Sequence, residues 1–74
     1  MSVEHVEDSA LASVLTSREL EVALLVARGC SNKDVARKLD LTEGTVKTHM
    51  HNILRKVGAP SRNNLITSMN AQGE

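Results

Sequence analysis

Lys47, Thr48, His51 and Arg55 fall at the spacing that brings side chains to one side of a helix. Together they offer hydrogen-bond donors, a hydroxyl and positive charge. That set suits recognition rather than bond making: donors can read the acceptor-rich edges of base pairs, and cations can meet phosphates. Other pairings carry less. His49 and His51 lie two apart, so on a helix they point about 200° from one another and cannot chelate one ion, even with Cys30. Glu19 and Glu21 diverge in the same way, and no constellation for catalysis surrounds them. No metal, no cofactor and no enzymatic reaction is expected.

The element that must carry these residues runs from Thr42 to Gly58, TEGTVKTHMHNILRKVG. Thr42 is a suitable N-cap, with Glu43 at the positive end of the helix dipole. Arg55 and Lys56 occupy the last turn, and Gly58 is suited to close it. At about 100° per residue, Val46, Met50, Ile53, Leu54 and Val57 share one apolar arc. Gly44, Thr48, His51 and Arg55 lie opposite, flanked by Lys47 and Asn52, with no carboxylate among them. Gly44 leaves room for close approach by a partner.

Composition narrows the choice of partner. Nine basic and nine acidic residues cancel, so whole-chain charge does not argue for nucleic acid. The distribution does: residues 1–41 carry five basic and seven acidic groups, and residues 42–74 carry four and two. The positive field is local to the helix from Thr42. There is no Phe, Tyr or Trp, so the stacking platforms of single-strand and RNA readers are missing. Cys30 is the sole cysteine, which excludes an intramolecular disulfide and fits a reducing cytoplasm. No apolar run approaches a membrane span, and the acidic first ten residues do not resemble a signal peptide.

Three further helices are expected. Residues 1–14 form a polar, acidic N-terminal segment or linker, in which Leu11 and Val14, with Leu15 beyond, could make an apolar turn against the domain. Thr16-Ser17-Arg18-Glu19 is a capping-box pattern opening a helix to about Arg28, with Gly29 as its stop. Leu20, Ala23, Leu24 and Ala27 make one stripe, and Val22, Leu25 and Val26 extend apolar character around much of the rest, so that neighbours are expected on more than one side. Glu19 and Glu21 mark exposed edges. Ser31 caps a short helix over 32–39, with Val35, Ala36 and Leu39 inward. Asp40-Leu41 joins it to Thr42, giving a helix-turn-helix pattern in which Asp40 takes the left-handed position often held by glycine. After Ala59-Pro60, Ser61 caps a last helix over about 62–70, with Leu65, Ile66 and Met69 on one side. Its low charge suits either a lid on the core or a two-fold interface. Residues 71–74 are left as a disordered tail.

The run Leu15-Thr16-x-Arg18-Glu19-x-Glu21-Val22, Gly29-x-Ser31-Asn32-Lys33-Asp34-Val35-Ala36, Leu39-x-Leu41-Thr42, Thr45-Val46-Lys47-x-His49, Ile53, Lys56, Gly58 and Ser61-Arg62 resembles the LuxR-type helix-turn-helix domain. The resemblance covers about Leu15 to Met69. It implies an all-α, four-helix domain over 15–70, without a wing, built as a tri-helical core plus a C-terminal dimerisation helix. Such domains form the DNA-binding end of many bacterial response regulators and quorum-sensing activators. By position, the family's base-reading sites correspond to Lys47, Thr48 and His51. Its phosphate-binding sites correspond to Ser31, Asn32, Lys33, Thr42, Thr45, His49, Arg55 and Lys56. The dimer interface would use Leu65, Ile66 and Met69.

The sequence departs from the family pattern at Val35, Leu41 and Val57, which are mild volume changes. Gly44 stands where a helix former is common, and His51 where some members carry Lys. No receiver or ligand-binding segment is recognisable, so the input signal is expected to act from elsewhere. The expected activity is sequence-specific binding of double-stranded DNA by a cytoplasmic transcription regulator, as a homodimer, with RNA polymerase as a possible further partner. The alternative is a protein-interaction module that grips a regulator or polymerase subunit without reading DNA.

Overall fold

Thr16 starts the first helix by exchanging two hydrogen bonds with Glu19. Its hydroxyl accepts from the Glu19 backbone N–H at 3.1 Å, and its own N–H donates to Glu19 Oε1 at 2.9 Å. This capping box opens α1 (Ser17–Ala27). Gly29, at φ +99°, closes it, with the Cys30 N–H returning to the Leu25 carbonyl. Ser31 repeats the device with Asp34 at the head of α2 (Asn32–Leu39). Thr42 caps α3 (Glu43–Val57), and Ser61 accepts from the Asn64 N–H at the head of α4 (Arg62–Gln72). The computed structural model describes residues 13–72. No strand occurs among the described residues, and the architecture is all-α.

Two non-repetitive joints set how these helices meet. Asp40 adopts φ 58° and ψ 48°, the left-handed conformation expected of it, and the Leu41 N–H donates back to the Ala36 carbonyl at 2.8 Å. The chain thus leaves α2 and enters α3 within a few residues, with the small side chain of Ala36 buried at the joint. Gly58, at φ +73°, ends α3. α3 packs on both α2 and α1, and α1 also packs on α4.

The core is entirely aliphatic: Leu15, Val22, Ala23, Val26, Val35, Ala36, Val46, Met50, Ile53 and Leu65. Fully burying one such Val, Leu or Ile contributes about 1.5–3 kcal/mol. The inner arc of α3 and the inner face of α2 fall where the periodicity places them.

The structure fixes the inner side of α1 and corrects several expectations. The inner stripe of α1 is Glu19, Val22, Ala23 and Val26, while Leu24 is 43% exposed. α1 is apolar around most of its circumference, so periodicity alone does not fix which side faces in. Glu19 is not an exposed edge: it is only 5% exposed, turned inward by a cationic partner described below. Val14 is 48% exposed and only Leu15 joins the core, whereas Leu11 lies outside the described residues. Leu65 is 2% exposed and belongs to the core, so it cannot form the surface of a dimer interface. Ile66 and Met69 are half-buried against that core. α4 also continues to Gln72, two residues past the expected end. Residues 1–12 and 73–74, parts of the expected N-terminal segment and tail, lie outside the described residues.

Candidate nucleic-acid interface

Burial of Val46, Met50 and Ile53 fixes the rotation of α3, and that rotation leaves Gly44, Thr45, Lys47, Thr48, His51 and Arg55 exposed. Lys47 and His51 form no hydrogen bond or ion pair with another described residue. Thr48 is exposed and donates to the Gly44 carbonyl one turn back at 3.2 Å. All three expected base-reading residues therefore share an uncovered face. Glu43 is also exposed, at the head of the helix, so the single carboxylate of α3 stands at its N-terminal rim.

The expected phosphate-binding residues surround this face, and most are already engaged within the chain. Ser31 Oγ accepts from the Asp34 N–H at 3.1 Å, while the Asp34 carboxylate accepts from the Ser31 N–H at 3.3 Å. The Ser31 N–H bond is the leading cause that holds the Asp34 carboxyl below its ordinary range. Thr42 Oγ1 accepts from the Thr45 N–H and shares a 2.9 Å hydrogen bond with Thr45 Oγ1. Arg55 donates to Asn52 Oδ1 at 3.3 Å and remains exposed. Lys33 is exposed and His49 is half-buried.

Lys56, another of the expected phosphate-binding residues, is engaged in an ion pair across the fold. Its ammonium lies 2.8 Å from Glu19 Oε1, with 33% of the Lys56 side chain exposed against 6% for Glu19. The hydrogen bond from Lys56, followed by the Thr16 N–H, holds the Glu19 carboxyl below its ordinary range against the opposing effect of burial. The pair joins the start of α1 to the end of α3 and holds α3 on the core.

A second bracket was not legible as functional in the sequence. Arg62, the first residue of α4, donates through Nη1 to Asn32 Oδ1 and through Nη2 to the Cys30 carbonyl, the latter at 2.7 Å. The one local signal was electrostatic. A cation at the positive end of a helix is unfavourable by about 0.3–1 kcal/mol, so such a residue needs partners elsewhere. Cys30, Ser31, Asn32, Lys33, Glu43 and Arg62 line an open depression of about 500 Å³ beside the start of α2.

A four-helix domain with a tight α2–α3 joint and an uncovered, cationic α3 face is a helix-turn-helix module. Residues 13–69 match the family model described as bacterial regulatory proteins, luxR family, and the chain belongs to that family. It is 50% identical over 58 residues to the uncharacterized transcriptional regulatory protein YxjL of Bacillus subtilis (strain 168), covering 78% of this chain and 26% of that protein. It is 41% identical over 61 residues to the monoamine regulon transcriptional regulator of Klebsiella aerogenes, covering 82% and 27%. It is 52% identical over 50 residues to the nitrate/nitrite response regulator protein NarP of Escherichia coli (strain K12), covering 68% and 23%. The chain thus spans about a quarter of the length of these curated relatives. No solved structure matches it. Among the described residues, no helix is long and apolar enough to cross a membrane.

Proposed function

We propose that this chain binds double-stranded DNA in a sequence-specific manner, as the output module of a bacterial transcription regulator. The observation that carries the reading is the uncovered face of α3, where Lys47, Thr48 and His51 project with no carboxylate between them. α3 enters the major groove. Lys47 donates to guanine O6 and N7, Thr48 offers its methyl to thymine, and His51 meets a base edge or a phosphate. Ser31, Asn32, Lys33, Thr42, Thr45, His49 and Arg55 set the register on phosphates.

The internal bonds of these anchors are compatible with that task. Ser31 uses its hydroxyl oxygen as an acceptor, which leaves the O–H to donate to a phosphate. Lys56 keeps two ammonium protons beyond its bond to Glu19, so it reaches phosphate only as an already tethered cation. A homodimer through Ile66 and Met69, without Leu65, places two reading helices about one turn of DNA apart.

A gel-shift comparison of wild type, Lys47→Ala and an Asn63→Ala control at low and moderate salt tests the reading. Loss in Lys47→Ala alone supports it. Equal binding by all three overturns it and favours a protein-interaction module. Sedimentation of wild type against Met69→Glu tests the dimer: a species that stays monomeric in both, with and without DNA, removes the paired half-site arrangement.

A further inference from the structure

We infer that Arg62 is a positioning residue for DNA binding, acting through Asn32 rather than by touching DNA itself. The inference rests on the DNA reading above and deepens it. A guanidinium has five N–H donors and no acceptor, so the only group of Asn32 that can face Arg62 is the carbonyl oxygen. The bond from Nη1 to Asn32 Oδ1 therefore decides the orientation of the carboxamide. Its NH2 group is turned away from Arg62, and no other described residue accepts from it. An unbraced asparagine has two amide orientations, and only one of them presents donors to a phosphate.

The second arm of the guanidinium makes this bracket stiff. Nη2 holds the Cys30 carbonyl, in the connection that leads into α2. One planar group thus fixes both the backbone before Ser31 and the side chain after it. Arg62 comes from α4, so the bracket ties the head of α4 to the start of α2. Placing its charge at the positive end of α4 works against helix stability, and the absence of an acidic residue in that first turn leaves this uncompensated locally. Arg62 is half-buried, with both of its bonds directed at Cys30 and Asn32 rather than at solvent.

The experiment uses the 74-residue chain and a DNA duplex selected from a random pool by wild type. Affinity is measured across a salt series for wild type, Lys47→Ala, Arg62→Lys, Arg62→Gln, Asn32→Ala and the Arg62→Gln/Asn32→Ala double variant. Circular dichroism melts are run on the same samples. Lysine keeps the charge but cannot serve both acceptors in one plane. The inference expects Arg62→Lys and Arg62→Gln each to lose about tenfold in affinity, a typical cost of one charge-assisted bond. The salt slope of Arg62→Lys should match wild type. The double variant should bind no more weakly than Asn32→Ala, since a missing carboxamide has nothing to be oriented. Wild-type affinity in Arg62→Lys, or additive losses in the double variant, would overturn it. Should Arg62→Gln be unfolded, Arg62→Lys alone decides by the first criterion. Equal binding by wild type and Lys47→Ala removes the DNA reading itself, a separate outcome that takes this inference with it.

Discussion

At the rim of the exposed α3 face, Ser31, Asn32, Thr42 and Lys56 each commit a polar atom to another part of the chain. At its centre, Lys47 and His51 commit none. The two regions answer different needs. Phosphates recur along any duplex, so groups that meet them gain from being held in fixed positions, and their bonds also cap helices and tie them together. Base edges change from site to site, so side chains that read them gain from freedom to be exchanged without cost to the fold. On the proposed DNA reading, Ser31, Asn32, Thr42 and Lys56 therefore couple binding to stability, while Lys47 and His51 separate the two.

That contrast can be broken most sharply at Glu19. Glu19→Ala removes a capping-box partner and strands the Lys56 ammonium. Removing one member of a buried pair costs about 3–5 kcal/mol, and the partial exposure of Lys56 lowers this to about 2–3 kcal/mol. A calorimetric melt should show a fall of roughly 10–20 °C. The carboxyl of Glu19 is depressed in the folded state, so its contribution is complete above about pH 4.5 and is lost as pH falls through the lowered folded value. Asp34 acts in the same direction. Glu19→Gln should accordingly melt with a shallower loss between neutral and acidic pH than wild type does.

Lys47→Ala is the matching test of the centre. Affinity should drop by about 2 kcal/mol, roughly 30-fold, while the melting temperature stays within a degree or so of wild type. A parallel loss of stability would mean that the centre is wired into the fold as the rim is.

Gly44→Ala separates the two quantities in opposite directions. A Cβ there meets only Thr42 Oγ1, at 3.9 Å, an ordinary contact. The helix should gain up to about 1 kcal/mol. DNA binding should weaken, because on the proposed reading the added methyl faces the groove. Unchanged affinity would show that the groove floor does not come close to the head of α3.

The smallest effect belongs to His51. His51→Ala should weaken binding a few-fold at constant pH, with the melting temperature unchanged. Wild-type affinity in His51→Ala would remove this residue from the reading face.

The local devices were legible in the sequence because they involve residues three or four apart. Thr16 with Glu19, Ser31 before α2, Thr42 before α3, Asp40 at the joint and Gly58 at the stop all announce themselves by type and spacing. The arcs of α2 and α3 were legible because each helix has a clearly polar side. α1 lacks one, so which of its apolar residues face in stayed open: Val22, Ala23 and Val26 do, while Leu24 is exposed. Lys56 with Glu19 and Arg62 with Asn32 are 37 and 30 residues apart, and nothing short-range links them. Leu65 was misplaced for a related reason: an apolar residue on a sparsely charged helix reads alike whether it faces its own core or a second copy.

The joint at Asp40 has a mechanical consequence. α3 has 15 residues. At 1.5 Å per residue it is a lever about 22 Å long, so a tilt of ~10° at its near end would swing the far end by ~4 Å. That displacement is about the rise of one base pair along the duplex. On the proposed DNA reading, a substitution at Ala36, Asp40 or Leu41 would therefore shift every base contact together by a step, re-aiming the module at a neighbouring register while leaving Lys47, Thr48 and His51 unchanged.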